Sequence, residues 1–122
     1  MPGRIHLKAR AGRTRRKPGE MNGLERSFAA HLELRKASGE IADWRFEEIK
    51  LRLAKLCYIT VDFAVMLHDG SVEFFETKGF LRDDANVKLK VVAEHFWWFR
   101  FYLVKAKPKR DGGGFSITEI GA

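Results

Sequence analysis

Tyr58-Ile59-Thr60-Val61-Asp62-Phe63-Ala64-Val65 and Ser71-Val72-Glu73-Phe74-Phe75-Glu76-Thr77-Lys78 are two strand-like runs. Asp69-Gly70 lies between them, the two-residue signal for a tight hairpin turn. Side chains alternate faces along a strand, so Glu76 and Lys78 point the same way while Glu73 points the other way, toward solvent. A hairpin sets that pair beside Asp62. Two carboxylates and an ammonium then converge on one spot, the equipment for holding Mg²⁺ and attacking a phosphodiester.

The flanks extend this pattern. Asn22-Gly23-Leu24-Glu25 is a helix-start signature, with Asn22 as N-cap and Glu25 three residues on. Leu24, Phe28 and Leu32 follow at helical spacing and Gly39 supplies a stop, which predicts a helix over 22–38. From Trp44 to Leu53 apolar and charged residues alternate, and the apolar phase slips once at Glu47-Glu48, as in one long strand with a bulge. Strands over 57–67 and 71–78 carry apolar residues on both faces in places, as a covered sheet requires. After Gly79-Phe80-Leu81, Asp83 or Asp84 caps a second helix containing Val87, Val91, Val92 and His95. Trp97 to Val104 reads as a buried strand, and Phe115 to Ile120 as a short edge strand. The order predicts an α/β sandwich with a mixed sheet of four to five strands flanked by helices.

The chain has 122 residues, 45% of them hydrophobic, which suits one folded domain rather than a disordered chain. No apolar run approaches the ~18 residues of a membrane span, and the basic N-terminus lacks the apolar stretch of a secretory signal. One cysteine, Cys57, excludes an internal disulfide and a cysteine-rich zinc site. Between Leu56 and Tyr58 it reads as a buried small hydrophobe, and an intracellular, cytoplasmic setting follows. The net charge of +7 equals the seven cations Arg4, Lys8, Arg10, Arg13, Arg15, Arg16 and Lys17. The rest of the chain balances, 16 basic residues against 16 acidic. Residues 1–18 are therefore a basic, flexible arm and 19–122 a single domain. An arm of this kind is drawn to polyanions, nucleic acid above all, with affinity falling as salt rises. Lys105 and Lys107 belong to a second basic patch.

Mg²⁺ takes hard oxygen ligands and keeps several waters. Asp62 and Glu76 supply two oxygens, and the Thr77 carbonyl a third. Lys78 either helps the attacking water or stabilises charge on the phosphate. A carboxylate at Asp62, inside an apolar strand, is costly unless a cation repays it, which favours a site over an ordinary salt bridge with Lys78 or Arg52. Glu25 has two readings, a metal ligand or only the closing member of the capping box. Lys88 either faces the site and grips the scissile phosphate or points to solvent. His6, His31, His68 and His95 share no metal-site spacing. Trp97-Trp98 read as core or dimer interface, with stacking on unpaired bases as the alternative.

Tyr58 through Phe63 and Glu76-Thr77-Lys78-Gly79, preceded by a helix carrying Glu25, resemble the PD-(D/E)xK nuclease superfamily, the restriction-endonuclease-like fold. Asn22 to Phe28 with Trp44-Arg45-Phe46 is similar to a small phage-encoded branch of Holliday-junction resolvases. Val61 stands where the motif has its proline, a residue that performs no chemistry. The resemblance implies DNA cleavage dependent on Mg²⁺ (or Mn²⁺), with Glu25, Asp62, Glu76 and Lys78 catalytic and no organic cofactor. It implies a homodimer acting on four-way junctions in the host cytoplasm. A less selective nuclease or nickase is the alternative, as is a non-catalytic nucleic-acid-binding protein on the same fold.

Overall fold

The computed structural model describes residues 19–78 and 83–121; the arm and the exit from the Glu76 strand at 79–82 lie outside them. Helix α1 (Gly23–Ala37) starts at the expected cap, where the Asn22 side chain accepts from the Glu25 N–H and the Glu25 side chain accepts from the Asn22 N–H. Strands β1 (Asp43–Phe46), β2 (Lys50–Ala54), β3 (Cys57–Thr60), β4 (Phe63–Met66) and β5 (Val72–Thr77) follow. Helix α2 (Asp83–His95), β6 (Arg100–Ala106) and β7 (Phe115–Ile120) complete the order. The protein is mixed α/β. One five-stranded sheet runs β1-β4-β5-β6-β7, and β2-β3 form a separate two-stranded ribbon. β5 and β6 are parallel and the other pairs antiparallel. A parallel pair needs a long crossover, and α2 supplies it.

Two apolar clusters lie on opposite sides of the sheet. Phe28 and Leu32 of α1 pack with Phe63, Val65, Phe75 and Val104. Leu89 and Val92 of α2 pack with Ala64, Phe74, Phe101 and Leu103, joined by Leu51, Ile59 and Val61 from the ribbon. Each fully buried side chain of this size stabilises the fold by about 1.5–3 kcal/mol before entropy is counted. Val87 and Val91 face outward on α2, so its buried stripe is Leu89-Val92-Ala93. Among the described residues no helix is long and apolar enough to cross a membrane.

The two long strands expected over 44–53 and 57–67 are each cut in two. β1 pairs with β4, and β2 with β3, and between these ladders the register slips by one residue. Residues 47–49 oppose only 61–62, with Glu47 N–H donating to the Asp62 carbonyl (2.9 Å) and Val61 N–H to the Ile49 carbonyl (3.1 Å). That is the bulge the phase slip signalled, and it interrupts the ladder so that the ribbon is a sheet of its own. The β4–β5 turn also differs from the two-residue expectation. Leu67 N–H bonds the Ser71 carbonyl, so three residues, His68-Asp69-Gly70, form the loop, with Gly70 at φ 90°. Hydrogen bonds from the Ser71 hydroxyl and N–H hold the Asp69 carboxyl below its usual range. Cys57 is half-buried rather than buried, because it sits at the ribbon's tip. β6 begins at Arg100; Trp97 and Trp98 belong to the preceding turn and are exposed, which rules out the core reading.

Candidate metal centre

The β4–β5 register pairs Phe63 with Phe75, so the next step places Asp62 beside Glu76. The Asp62 N–H donates to Glu76 Oε1 at 2.7 Å. The Thr77 N–H and hydroxyl both donate to Asp62 Oδ2, at 2.9 and 3.0 Å. Lys78 Nζ stands 3.8 Å from Glu76 Oε2. The Lys78 N–H extends the parallel ladder to the Val104 carbonyl, which fixes the backbone beneath its side chain. Asp62, Glu76 and Thr77 are buried, at 1%, 3% and 7% exposure. The convergence expected from the hairpin is present, and its hydrogen bonds orient both carboxylates.

Glu25 is buried too, at 2% exposure. Its Oε1 accepts from the Asn22 N–H at 2.9 Å. The capping role is real, yet it does not remove Glu25 from the acidic group. Glu25, Glu47 and Asp62 each offer a carboxylate oxygen, and the three oxygens lie within 4.8 Å of one another. These three residues could hold a metal ion. All donors in the group are hard oxygens, the set suited to Mg²⁺, Mn²⁺ or Ca²⁺ rather than to the softer metals that favour thiolate or imidazole. Two of the three are buried, where a compensating cation has most effect. The residues present therefore fit a divalent ion.

Glu47 was missed in the sequence. It lies at the bulge with φ 53°, a left-handed backbone rarely adopted by a residue other than glycine. Its Oε1 accepts from the Gly19 N–H at 3.3 Å. The phase slip at Glu47-Glu48 was the available signal, since bulges re-aim side chains and gather beside active sites. Glu76, expected as a ligand, is not one of these three; it is tied to the group through the Asp62 N–H, which its Oε1 accepts. Thr77 meets Asp62 through its N–H and hydroxyl.

The other sequence candidates are spread more widely. Lys105 follows Val104, the partner of Thr77, so it is at the same end of the sheet as the carboxylates. Lys105 and Lys107 are exposed, and Lys88 is half-buried on α2. Arg4, Lys8, Arg10, Arg13, Arg15, Arg16 and Lys17 lie outside the described residues. Glu73 is on the opposite face from Glu76, as expected, but it is half-buried rather than solvated and takes a 3.3 Å hydrogen bond from the Tyr102 hydroxyl. His31 packs against Phe28 and Phe115, and His95 stands edge-on to Phe96. His68 Nε2 sits 2.8 Å from the Gly39 carbonyl. Compared with protein-family models, curated proteins and solved structures, the chain matches none.

Proposed function

We propose that this protein is a metal-dependent endodeoxyribonuclease of the PD-(D/E)xK type, acting on branched DNA as a Holliday-junction resolvase. The observation that carries the reading is the buried Asp62–Glu76 pair, hydrogen-bonded across adjacent strands with Thr77 and Lys78 alongside. Burying two carboxylates costs several kcal/mol, and Lys78, 3.8 Å from Glu76 Oε2, offers a single positive charge against them, so stability alone is a weak account of the pair. The element order supports the same reading: a helix, an antiparallel meander, a crossover helix and a parallel strand resemble a restriction-endonuclease-like core.

Asp62, Glu25 and Glu47 would hold the ion, with Glu76 adjacent. A bound divalent ion supplies Lewis acidity toward a phosphate oxygen and lowers the pKa of water. The protein's own groups do the positioning. Thr77 locks Asp62 through two hydrogen bonds, and the Asp62 N–H fixes Glu76 in turn. Lys78, held near Glu76, places a positive charge where the attacked phosphate gains negative charge. Hydrolysis adds water across one P–O bond, leaving a phosphate end and a hydroxyl end. Exposed Lys105 and Lys107 at this end of the sheet suit phosphate contacts that fix orientation without reading sequence. A homodimer would present two such sites to a junction's two-fold centre.

The test uses a four-way junction, a linear duplex and a single strand, each with Mg²⁺ or EDTA. Paired symmetrical nicks on the junction alone support the proposal. Cutting of every substrate would make the protein a general nuclease or nickase, and binding without cutting in any divalent metal would make it a non-catalytic binder. Asp62→Asn should lower cutting by more than the about 10–100-fold typical of losing an outer-shell partner, with junction binding in EDTA nearly unchanged. Retained cutting in that variant rejects the site.

A further inference from the structure

We propose that the outward face of the β2–β3 ribbon is a phosphate-gripping surface that holds duplex DNA against the Asp62 centre. The inference deepens the function proposed above and rests on it for the placement of the substrate. Period-two alternation gives the ribbon two unlike faces. Leu51, Ile59 and Val61 are buried beneath it, with Leu53 packed beside them. Lys50 and Arg52 are exposed on the other face, opposite Thr60 and Tyr58 in the register. Lys55 is exposed at the tip. From Ile49 to Val61 the sequence holds three cations and no acid.

Beside the ribbon, on α1 and β1, cations have acidic partners. Arg35 pairs with Glu40, Lys36 with Asp43, and Arg45 with Asp43 and Glu48. Among the described residues, no carboxylate pairs with Lys50, Arg52 or Lys55; Arg52 Nε instead donates to the Ala54 carbonyl at 3.3 Å. The ribbon thus concentrates positive charge that the protein does not neutralise, and a polyanion is the complementary partner.

Its position selects that partner further. The ribbon springs from the bulge, and the residues at its base are Glu47 and Asp62, two members of the acidic group. Lys50 lies three residues beyond Glu47, and Thr60 two residues before Asp62. At no more than about 3.3 Å per residue, the Lys50 backbone is within about 10 Å of the Glu47 backbone. Lys50 and Arg52 stand about 6.6 Å apart on one face. A two-stranded ribbon is also one of the few elements that a major groove, about 12 Å wide, admits. What separates the ribbon from an ordinary solvated charged face is this continuity with the acids.

The experiment measures equilibrium binding of the full chain to a short linear duplex in EDTA across a salt series. Replacing Lys50, Arg52 and Lys55 together by Gln should lower the slope of log K against log salt by about 2–3, near 0.9 per lost phosphate contact. Lys55→Gln alone should lower it by about 0.9, which guards against a triple variant that folds poorly. Lys36→Gln, whose cation already pairs with Asp43, should leave the slope in place. An unchanged slope in both ribbon variants overturns the proposal, as does failure of the wild type to bind duplex in EDTA. The nuclease reading fails separately. A wild type that cuts no DNA in Mg²⁺, yet loses slope with the ribbon cations, keeps this surface and rejects that activity. A ribbon variant that cuts and binds like wild type does the reverse.

Discussion

The two ends of β5 violate hydropathy in opposite directions. At its Thr77 end, Asp62, Glu76 and Glu25 are at most 3% exposed. At its Val72 end, Trp97 and Trp98 are 79% and 71% exposed, their rings 6.1 Å apart and inclined by 23°. Trp98 borders a hollow of about 400 Å³ with Leu67, Asp69, Ser71, Val72, Glu73 and Arg100. Buried acids and exposed indoles are the informative exceptions to an apolar interior, because each costs free energy that ordinary folding would avoid. The comparison separates two kinds of exception. The acids sit in a dense hydrogen-bonded lattice braced by core residues. The tryptophans stand on a turn between α2 and β6, with each other as stacked neighbours.

The largest effect should come from the brace at the acid end. Phe63 is fully buried beside Asp62, and its ring meets Phe28, Trp44 and Phe46 at centroid distances of 5.2, 5.9 and 5.1 Å. Phe63→Ala should lower the unfolding free energy by about 3–5 kcal/mol in urea titrations. A loss below about 1 kcal/mol, the range of tolerated swaps, would show that the acid end stands without this cluster.

A smaller effect, of opposite sign, should appear at the bulge. Glu47 holds φ 53° although it is not glycine. Left-handed backbone costs an L residue roughly 1–2 kcal/mol, offset in part by glycine's greater freedom when unfolded. Glu47→Gly should therefore raise stability by up to about 1 kcal/mol. The same variant should lose most of the rise in thermal midpoint that Mg²⁺ gives the wild type, since it lacks one carboxylate of the group. A destabilised variant, or one with the full Mg²⁺ response, removes Glu47 from the centre.

The acid end was far more legible in the sequence than the tryptophan end, for physical reasons. Alternation along two β-favouring runs ties Asp62, Glu76 and Lys78 to one place once a turn joins the runs. The loop length matters to the face: a two-residue turn would set Asp62 opposite Thr77, and the observed three-residue loop sets it opposite Glu76, on the side of Lys78. The cap at Asn22 was equally local. Glu47 was not legible as a ligand. Its phase slip revealed a bulge, but where a bulged side chain points depends on a backbone angle that no periodicity reports. The split of each long strand was hidden for the same reason, since both halves keep the alternation. Trp97-Trp98 misled because an unbroken apolar run carries no phase: residues 97–99 could be strand, turn or helix end by composition alone.

The smallest expected effect is the sharpest check on the contrast. Trp97→Ala and Trp98→Ala remove the two largest side chains of the α2–β6 turn. If burial rather than size governs stability, each should change the unfolding free energy by no more than about 0.5 kcal/mol, the range of an ordinary surface substitution. Phe63→Ala, a smaller truncation, should cost several times as much. Fluorescence gives an independent reading from the same variants. Trp44 is half-buried, with Nε1 donating to Glu33 Oε1 at 2.9 Å, so it is the least accessible of the three tryptophans. Removing Trp97 and Trp98 together should abolish most of the emission that acrylamide quenches. If either truncation costs more than about 2 kcal/mol, the lower range for emptying a core site, that indole is part of the core. The two ends of β5 would then obey one rule, with the buried acids as its sole exception.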